Sequence, residues 1–391
     1  MFAALAARGF LARAVGGAVR NGLMDRHVED VDIATTARPE EVMHTADAAG
    51  LKALPTGIAH GTVTILSGTH AYEVTTLRKD VETHGRHATV TFTDDWAADA
   101  RRRDFTLNAL YCGADGEVFD PLAGYADLAA RRVRFIGDAA ERIREDYLRI
   151  LRFFRLTAAY GRGPPDAKGL AACVRERAGL GILSAERICQ ELLRLLAAPR
   201  GPELAITMQD YGLLPQVLGL APRPTLLTRL AVLEDALSLD PDAVLRLAAL
   251  AVEVPEDADR LRDRLRLSNN EAEKLVRASM QAPAIGPSAP ESAAKAYLYA
   301  HGAAAYRERV LLAWARSGDV PASQVWRERL ALPQRWQTPN FPIGGADIMA
   351  LGVPTGPRIG ELLRALEAWW IANDFTADEA ALRAKLGELV A

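Results

Sequence analysis

The hydrophobic rhythm of the chain changes once, near residue 137. Before that point, short stretches alternate apolar and polar positions with the two-residue period of half-buried strands: LARAV (11–15), VEDVDIA (28–34), GTVTIL (61–66) and AYEVTTL (71–77). Between them, AVRNGLM (18–24) reads as a helix start after a double-glycine turn, and RPEEVMHTADAAG (38–50) as a helix with a glycine stop. After Gly137 the strand signals vanish. Leucine- and alanine-rich stretches with helical spacing take over: AERIREDYLRILRFFRLTAAYG (140–161), SAERICQELLRLLAA (184–198), DAVLRLAALAVE (242–253) and NNEAEKLVRASM (269–280). Proline-rich breaks near 163–166, 221–224 and 282–290 suggest segment boundaries. The pattern predicts a small mixed α/β head followed by a series of helical modules.

A length of 391 residues exceeds the usual single domain and fits roughly two to four compact units. No apolar run approaches the ~20 residues needed to span a bilayer, and the N-terminal MFAALAARGFLARAV carries Arg8 and Arg13 inside its apolar part, unlike a signal peptide. Cys112, Cys173 and Cys189 are dispersed without metal-type spacing, which suggests a reducing compartment and predicts a cytoplasmic protein. The net charge of -3 argues against a uniformly basic nucleic-acid binder, so any such binding must come from local clustering. One cluster stands out: from Arg131 to Arg162 there are nine arginines against four acids, with Arg101, Arg102 and Arg103 just upstream. A run of this kind is either a solvated helix face or a surface for phosphate.

The stretch GGAVRNGLMDRHVEDVDIATT (16–36) carries the sharpest chemistry. On a strand, residues i and i+2 share a face, so Asp30 and Asp32 project together while Val31 and Ile33 turn to the core. Two carboxylates this close repel unless a cation sits between them. Oxygen ligands of this kind suit Mg²⁺, commonly held by one or two carboxylates plus substrate phosphates. An isolated Asp-x-Asp is more often a solvent-facing strand edge, but here it follows a turn suited to phosphate. Gly16 and Gly17 let backbone N–H groups approach an anion at a helix start, and Arg20 adds a donor fork. Glu73, on another strand, is either a third carboxylate or an ordinary exposed residue. In RRRDFTLNALY (101–111), Arg103 and Asp104 precede an apolar stretch in which Asn108 is the odd polar member; a capped helix with a basic approach is the plain reading. Laid out at 100° per residue, 140–161 puts Ile143, Tyr147, Ile150, Leu151, Phe154 and Ala158 on one stripe. Asp146, Arg149, Arg152 and Arg155 fall on the other half. Asp146 and Arg149 at i,i+3 form either a simple intrahelical ion pair or an acceptor and a donor that together read a base edge.

GGAVRN…DVD, RRDFTLNAL, DPLAGYADL, EDYLRILRFFR and SAERICQELLRLL occur in the order seen in the bacterial class II CCA tRNA nucleotidyltransferase / poly(A) polymerase family. The chain resembles that family strongly over about residues 11–200, and the likeness extends through LRLSNNEAEKL and GADIMALGVPTGPRIGELLRALEAWW. The resemblance implies an α+β head of nucleotidyltransferase (polymerase β-like) fold at 1–135. It implies an all-α neck with base recognition at 136–200, a helical body at 201–285 and an RNA-binding tail at 286–391. The implied activity is template-independent addition of C, C and A to the 3′ end of tRNA from CTP and ATP, by Mg²⁺-dependent two-metal transfer, with no membrane and no protein partner. Asp30 and Asp32 would hold Mg²⁺, with Glu73 a third catalytic carboxylate. Gly16, Gly17, Arg20 and Arg103 would contact the triphosphate. Asp146 and Arg149 would read the base, oriented by Glu145, and Arg152 and Arg155 would support nucleotide and RNA phosphates. Asn21, Asp104 and Asn108 would be supporting residues; the family usually has Asp where Asn21 stands. LRKDVETHGRH (77–87) is expected to be a flexible loop. CC-adding, A-adding and poly(A)-tailing enzymes share every one of these motifs. A non-catalytic RNA-binding module is the alternative of another class, and the intact Asp30/Asp32 pair and Arg103 argue against it.

Overall fold

In the computed structural model, which describes residues 1–84, 87–279 and 285–390, the strand-like stretches of the head form one seven-stranded sheet. Its strands are β1 (Ala12–Val15), β2 (Asp32–Thr35), β3 (Lys52–Gly57), β4 (Thr62–Ser67), β5 (His70–Thr76), β8 (Tyr111–Cys112) and β9 (Val118–Phe119), in the spatial order β3-β4-β5-β2-β1-β8-β9. β2 and β5 run parallel, with Ile33 opposite Val74, and the other neighbours are antiparallel. Both faces of the sheet are covered. Ile33 packs with Leu5 of α1 (Phe2–Ala7), with Val42 and Ala46 of α3 (Pro39–Ala48), and with Val63 and Val74. Its neighbour Ala34 turns to the other face, against Trp96 and Ala100 of α4 (Trp96–Arg101) and Tyr111. α3 stops where the glycine signal lies. Gly50 has φ +69°, and Leu51 N–H returns to the Ala46 carbonyl at 2.9 Å, which satisfies carbonyls that the helix end leaves open.

Where it is described, the stretch 77–87 is strand from Arg78 to His84 rather than loop. β6 (Arg78–His84) pairs antiparallel with β7 (His87–Phe92), from Arg78 opposite Phe92 to His84 opposite His87. A backbone ladder needs no apolar alternation, so the polar sequence hides it. Gly85 and Arg86 lie outside the described residues.

After β9 the chain is helical: α5 (Gly124–Ala129), α6 (Ala139–Glu145), α7 (Leu148–Tyr160), α8 (Ala167–Arg175), α9 (Ala185–Ala197) and α10 (Gly201–Asp210). The single helix expected over 140–161 is two. Asp146 is extended (φ -154°, ψ 106°) and separates α6 from α7. The apolar stripe still packs: Ile143, Ile150, Leu151, Phe154 and Ala158 are all buried, and α7 lies along α9.

Two compact units result, Met1–Gly219 and Leu220–Ala391. Gly201 opens α10 so close to the end of α9 that a Cβ there would lie 2.4 Å from the Leu195 carbonyl oxygen. The second unit has its own core. Trp314 stacks on Trp326 at 6.0 Å, Leu362, Leu366, Trp370, Leu382 and Leu386 cluster, and Arg246 pairs with Glu234 at 2.6 Å in the interior. Its helix Pro357–Ala372 starts directly after Gly356. Among the described residues no helix is long and apolar enough to cross a membrane.

The DPLAGYADL motif is a structural knot. Asp120 accepts from the Gly124 and Tyr125 N–H groups at 2.8 and 2.9 Å. The wholly buried Asp127 accepts from Thr106 Oγ1 at 2.7 Å and is paired with Arg132 and Arg134. A Cβ on Gly124 would meet the Thr106 carbonyl oxygen at 2.2 Å, an atom that cannot move without shifting the backbone. Gly124→Ala is expected to lower unfolding stability by about 1–3 kcal/mol, measured by denaturant titration; an unchanged midpoint would show that the contact relaxes freely.

Candidate active site

Gly16 and Gly17 stand where β1 turns into α2 (Gly17–Leu23). Gly16 has φ +71°, a conformation that favours glycine, and no side chain caps the first turn of α2. This turn, the acids at the head of β2 and the arginines of α7 and α9 surround one cavity of about 890 Å³. Gly16, Gly17, Arg20, Asn21, Asp30, Asp32, Arg103, Asp104, Asn108, Asp146, Arg149, Arg152 and Arg155 all line it, whereas Glu73 and Glu145 do not.

Asp30 lies just before β2 and Asp32 opens it; both are exposed, while Ile33 is buried and Val31 packs on the core. The parallel register of β2 and β5 carries Glu73 to the same strand end as Asp32. The Asp32 carboxyl is pushed above the ordinary carboxylate range. Lost hydration in the cavity is the main cause and Glu73 adds to it; Arg103 pulls the other way, and Asp30 raises it further. A cation would relieve that repulsion, and the donors are hard oxygens suited to Mg²⁺. Among the described residues no three His, Cys, Asp or Glu side chains gather into a ready cage. The acid pair alone supplies only part of a coordination shell.

Asp104 joins the head to the neck. Arg152 of α7 donates to Oδ2 at 2.7 Å (Nε) and 2.6 Å (Nη2), and Asn108 Nδ2 donates to Oδ1 at 3.2 Å. Asn108 Oδ1 accepts from Arg20 Nη1 at 2.6 Å, and Arg20 Nη2 donates to Tyr160 Oη at 2.8 Å. Burial would push Asp104 up, but Arg152 and the hydrogen bonds from Asn108 and Arg152 hold it below the ordinary range. Asn21 accepts from Arg20 Nε and Nη2 at 3.2 and 3.0 Å and donates to the His27 carbonyl at 3.0 Å. A carboxylate could do the first but not the second, so the amide ties the glycine turn's helix to the loop that leads into Asp30.

The arginines are not a loose cationic face. Of the nine between Arg131 and Arg162, seven have a carboxylate partner: Arg132 and Arg134 on Asp127, Arg142 and Arg149 on Glu145, Arg144 on Glu176, Arg152 on Asp104 and Arg155 on Glu191. Arg103 is held at 3.0 Å by the buried Asp99, which also accepts from Tyr111 Oη at 2.7 Å. Of the two readings of Asp146 and Arg149, the intrahelical ion pair is not formed among the described residues. Asp146 is gripped in two places by Arg187 of α9, at 2.6 and 3.2 Å, and accepts from Leu148 N–H at 3.1 Å. Arg149 Nη1 donates to Glu145 and to the Arg142 carbonyl. Glu145 thus contacts Arg149 alone of the two.

Tyr160, Arg187 and Arg194 also line the cavity, and Glu191 and Asp99 stand behind it; none was expected from sequence. The signal for three of them was present: Arg187, Glu191 and Arg194 recur at helical spacing along α9.

Residues 12–134 match the Poly A polymerase head domain family. The mitochondrial CCA tRNA nucleotidyltransferase 1 of Mus musculus is 37% identical over 388 residues, covering 94% of this chain and 84% of the relative. The CCA-adding enzyme of Latilactobacillus sakei is 32% identical, covering 97% and 94%. Among solved structures, the Bacillus stearothermophilus CCA-adding enzyme in complex with CTP superposes with a TM-score of 0.74 at 27% identity, covering 100% of this chain and 95% of that one.

A carboxyl raised in the folded state binds its proton more tightly there than in the unfolded chain, so its contribution is present at low pH and lost as pH rises. In metal-free buffer, wild-type stability is therefore expected to fall relative to Asp32→Asn as pH is raised from about 4 to 7. Paired denaturation curves measure this. A wild type that gains on the variant with rising pH would contradict the crowding of carboxylates at Asp32.

Proposed function

Because the chain belongs to the CCA-adding tRNA nucleotidyltransferase family, we propose that it completes the 3′ end of tRNA by adding C, C and A from CTP and ATP. The observation that carries this reading is a single cavity lined by an acid pair, a glycine turn at a helix start, and the polar side chains of Asp146 and Arg149. In each cycle the RNA 3′-hydroxyl oxygen attacks the α-phosphorus, a phosphodiester forms, the α–β bond breaks and pyrophosphate leaves. Asp30 and Asp32 would hold Mg²⁺, with Glu73 behind Asp32. In a two-metal site the ions supply a lowered pKa for the attacking hydroxyl and charge neutralisation on the phosphates. Gly16, Gly17, Arg20 and Arg103 orient the triphosphate, and Asp104 fixes Arg20 through Asn108.

Base choice follows from counting donors and acceptors. An ionised carboxylate has about four acceptor sites. Arg187 and Leu148 take three of those on Asp146, which leaves about one. Both bonds of Arg149 come from Nη1, so Nε and Nη2 keep three N–H groups. One acceptor beside several donors suits cytosine and adenine, which present an amino group next to ring-nitrogen acceptors. Uracil and guanine present a carbonyl and an N–H in those places. We place the enzyme in a reducing compartment such as the cytoplasm, which the odd, dispersed set of cysteines in the sequence supports.

The test supplies tRNA ending at the discriminator base with labelled CTP or ATP. Two additions of C followed by one of A are expected; repeated addition of A alone to any RNA would make the protein a poly(A) polymerase. Asp30→Ala or Asp32→Ala should remove incorporation of both nucleotides while the fold persists, and near-normal turnover in saturating Mg²⁺ would refute the metal assignment. Exchanging Asp146 and Arg149 would set like charges against Arg187 and Glu145, so a single change is the cleaner probe of base reading. Arg149→Gln should reduce the preference for CTP over UTP by about tenfold, as expected when a buried polar group worth ~1–3 kcal/mol is left unpaired. A variant that is slower with all four triphosphates but equally selective would place base reading elsewhere.

A further inference from the structure

Eight arginines line the cavity, and six of them are neutralised by carboxylates: Arg102 and Arg103 by Asp99, Arg149 by Glu145, Arg152 by Asp104, Arg155 by Glu191 and Arg187 by Asp146. Arg20 is buried and committed to Asn108, Asn21 and Tyr160. Arg194 differs from all of these. It is the exposed arginine of the lining, and among the described residues no carboxylate, carbonyl or ring engages it.

The packing of α7 on α9 explains why it stays unpaired. The two helices form a ladder of ion pairs that advances along both together, Asp146 with Arg187, then Arg155 with Glu191 at 2.5 Å. Arg194 is the next position on that face of α9, one turn beyond Glu191. The last turn of α7, Leu156–Tyr160, contains no acid to meet it. Two more arginines without carboxylate partners come to the same end of α7. The guanidiniums of Arg20 and Arg26 lie 3.9 and 4.7 Å from the centre of the Tyr160 ring, and Arg26 donates to the Ala159 carbonyl at 2.9 Å. The paired arginines leave most of the cavity wall charge-balanced, whereas the end of α7 gathers cations that, among the described residues, have no carboxylate partner.

We propose that Arg194 binds a backbone phosphate of the RNA strand whose 3′ end is extended; this rests on the nucleotidyltransfer reading above. A triphosphate is short and is served by the glycine turn and the half-buried arginines deeper in the cavity. An exposed guanidinium at the rim suits a polyanion that continues out of the cavity, as a strand does. Since seven of the nine arginines between Arg131 and Arg162 are already paired, a free cation here carries more weight in RNA binding than the arginine-rich sequence suggests.

The experiment compares wild type with Arg194→Gln and Arg194→Lys. Affinity for tRNA lacking its 3′ CCA is measured by fluorescence anisotropy without nucleotide at several salt concentrations, and KM for RNA and for CTP is measured in the incorporation assay. Arg194→Gln should weaken RNA binding by about tenfold, the scale of one charge-assisted contact, and reduce the slope of log affinity against log salt by about 0.7. KM for RNA should rise, KM for CTP should stay, and Arg194→Lys should recover most of the loss. A rise in KM for CTP with RNA binding unchanged would assign the guanidinium to the triphosphate and overturn the proposal, as would no change in either. A wild type that binds RNA with the expected slope difference but extends nothing would refute the nucleotidyltransfer reading and leave the phosphate contact standing.

Discussion

The Asp104 carboxylate, buried between the head and the neck helix α7, is the contact on which the site depends. One oxygen holds Arg152 and the other holds Asn108, and Asn108 in turn holds Arg20. A buried carboxylate is costly unless its lone pairs are filled and its charge is met, and here both conditions are fulfilled by groups that also face the cavity. Satisfying Asp104 therefore brings Arg152 to the wall, and the same Asn108 that donates to it holds Arg20 beside the glycine turn. Tyr160, at the far end of α7, receives the other side of Arg20 and fixes the neck helix against the same anchor.

The same logic recurs around the cavity. Asp99, Glu145, Asp146 and Glu191 each restrain an arginine from behind, so cations that would repel one another stay together and keep spare N–H groups for a ligand. Opposite them, Asp30 and Asp32 have no such partners among the described residues, and Asp32 is crowded by Glu73. The protein thus compensates its positive wall internally and leaves its negative site to be compensated by what binds. This division suits a substrate that arrives as a polyphosphate with a divalent cation.

Much of this was legible in the sequence, and the misses have physical reasons. The strand bearing Asp30 and Asp32 and the turn at Gly16 follow from two-residue alternation and from glycine, which act locally. The break at Asp146 has no local mark, neither glycine nor proline. It depends on Arg187, 41 residues away, which holds the carboxylate only once α9 has packed on α7. Glu191 reads as one more polar residue of an amphipathic helix; its burial against Arg155 is a tertiary fact. The arginine-rich stretch suggested a bare cationic surface because five of its arginines pair with acids outside it, at Asp104, Asp127, Glu176 and Glu191. Nor does the sequence mark Gly201, whose missing side chain permits close packing of α10 on α9.

The most direct test of this architecture is the calorimetric affinity for CTP, in the presence of Mg²⁺, of an Asp104→Asn variant that still unfolds cooperatively. The amide can still accept from Asn108 but cannot neutralise Arg152. Binding weaker by at least about tenfold is expected, since hydrogen bonds to a charged group are each worth about 1.5–3 kcal/mol and Arg20 and Arg152 share this anchor. CTP affinity equal to that of the wild type would contradict the claim that one buried carboxylate organises the nucleotide site.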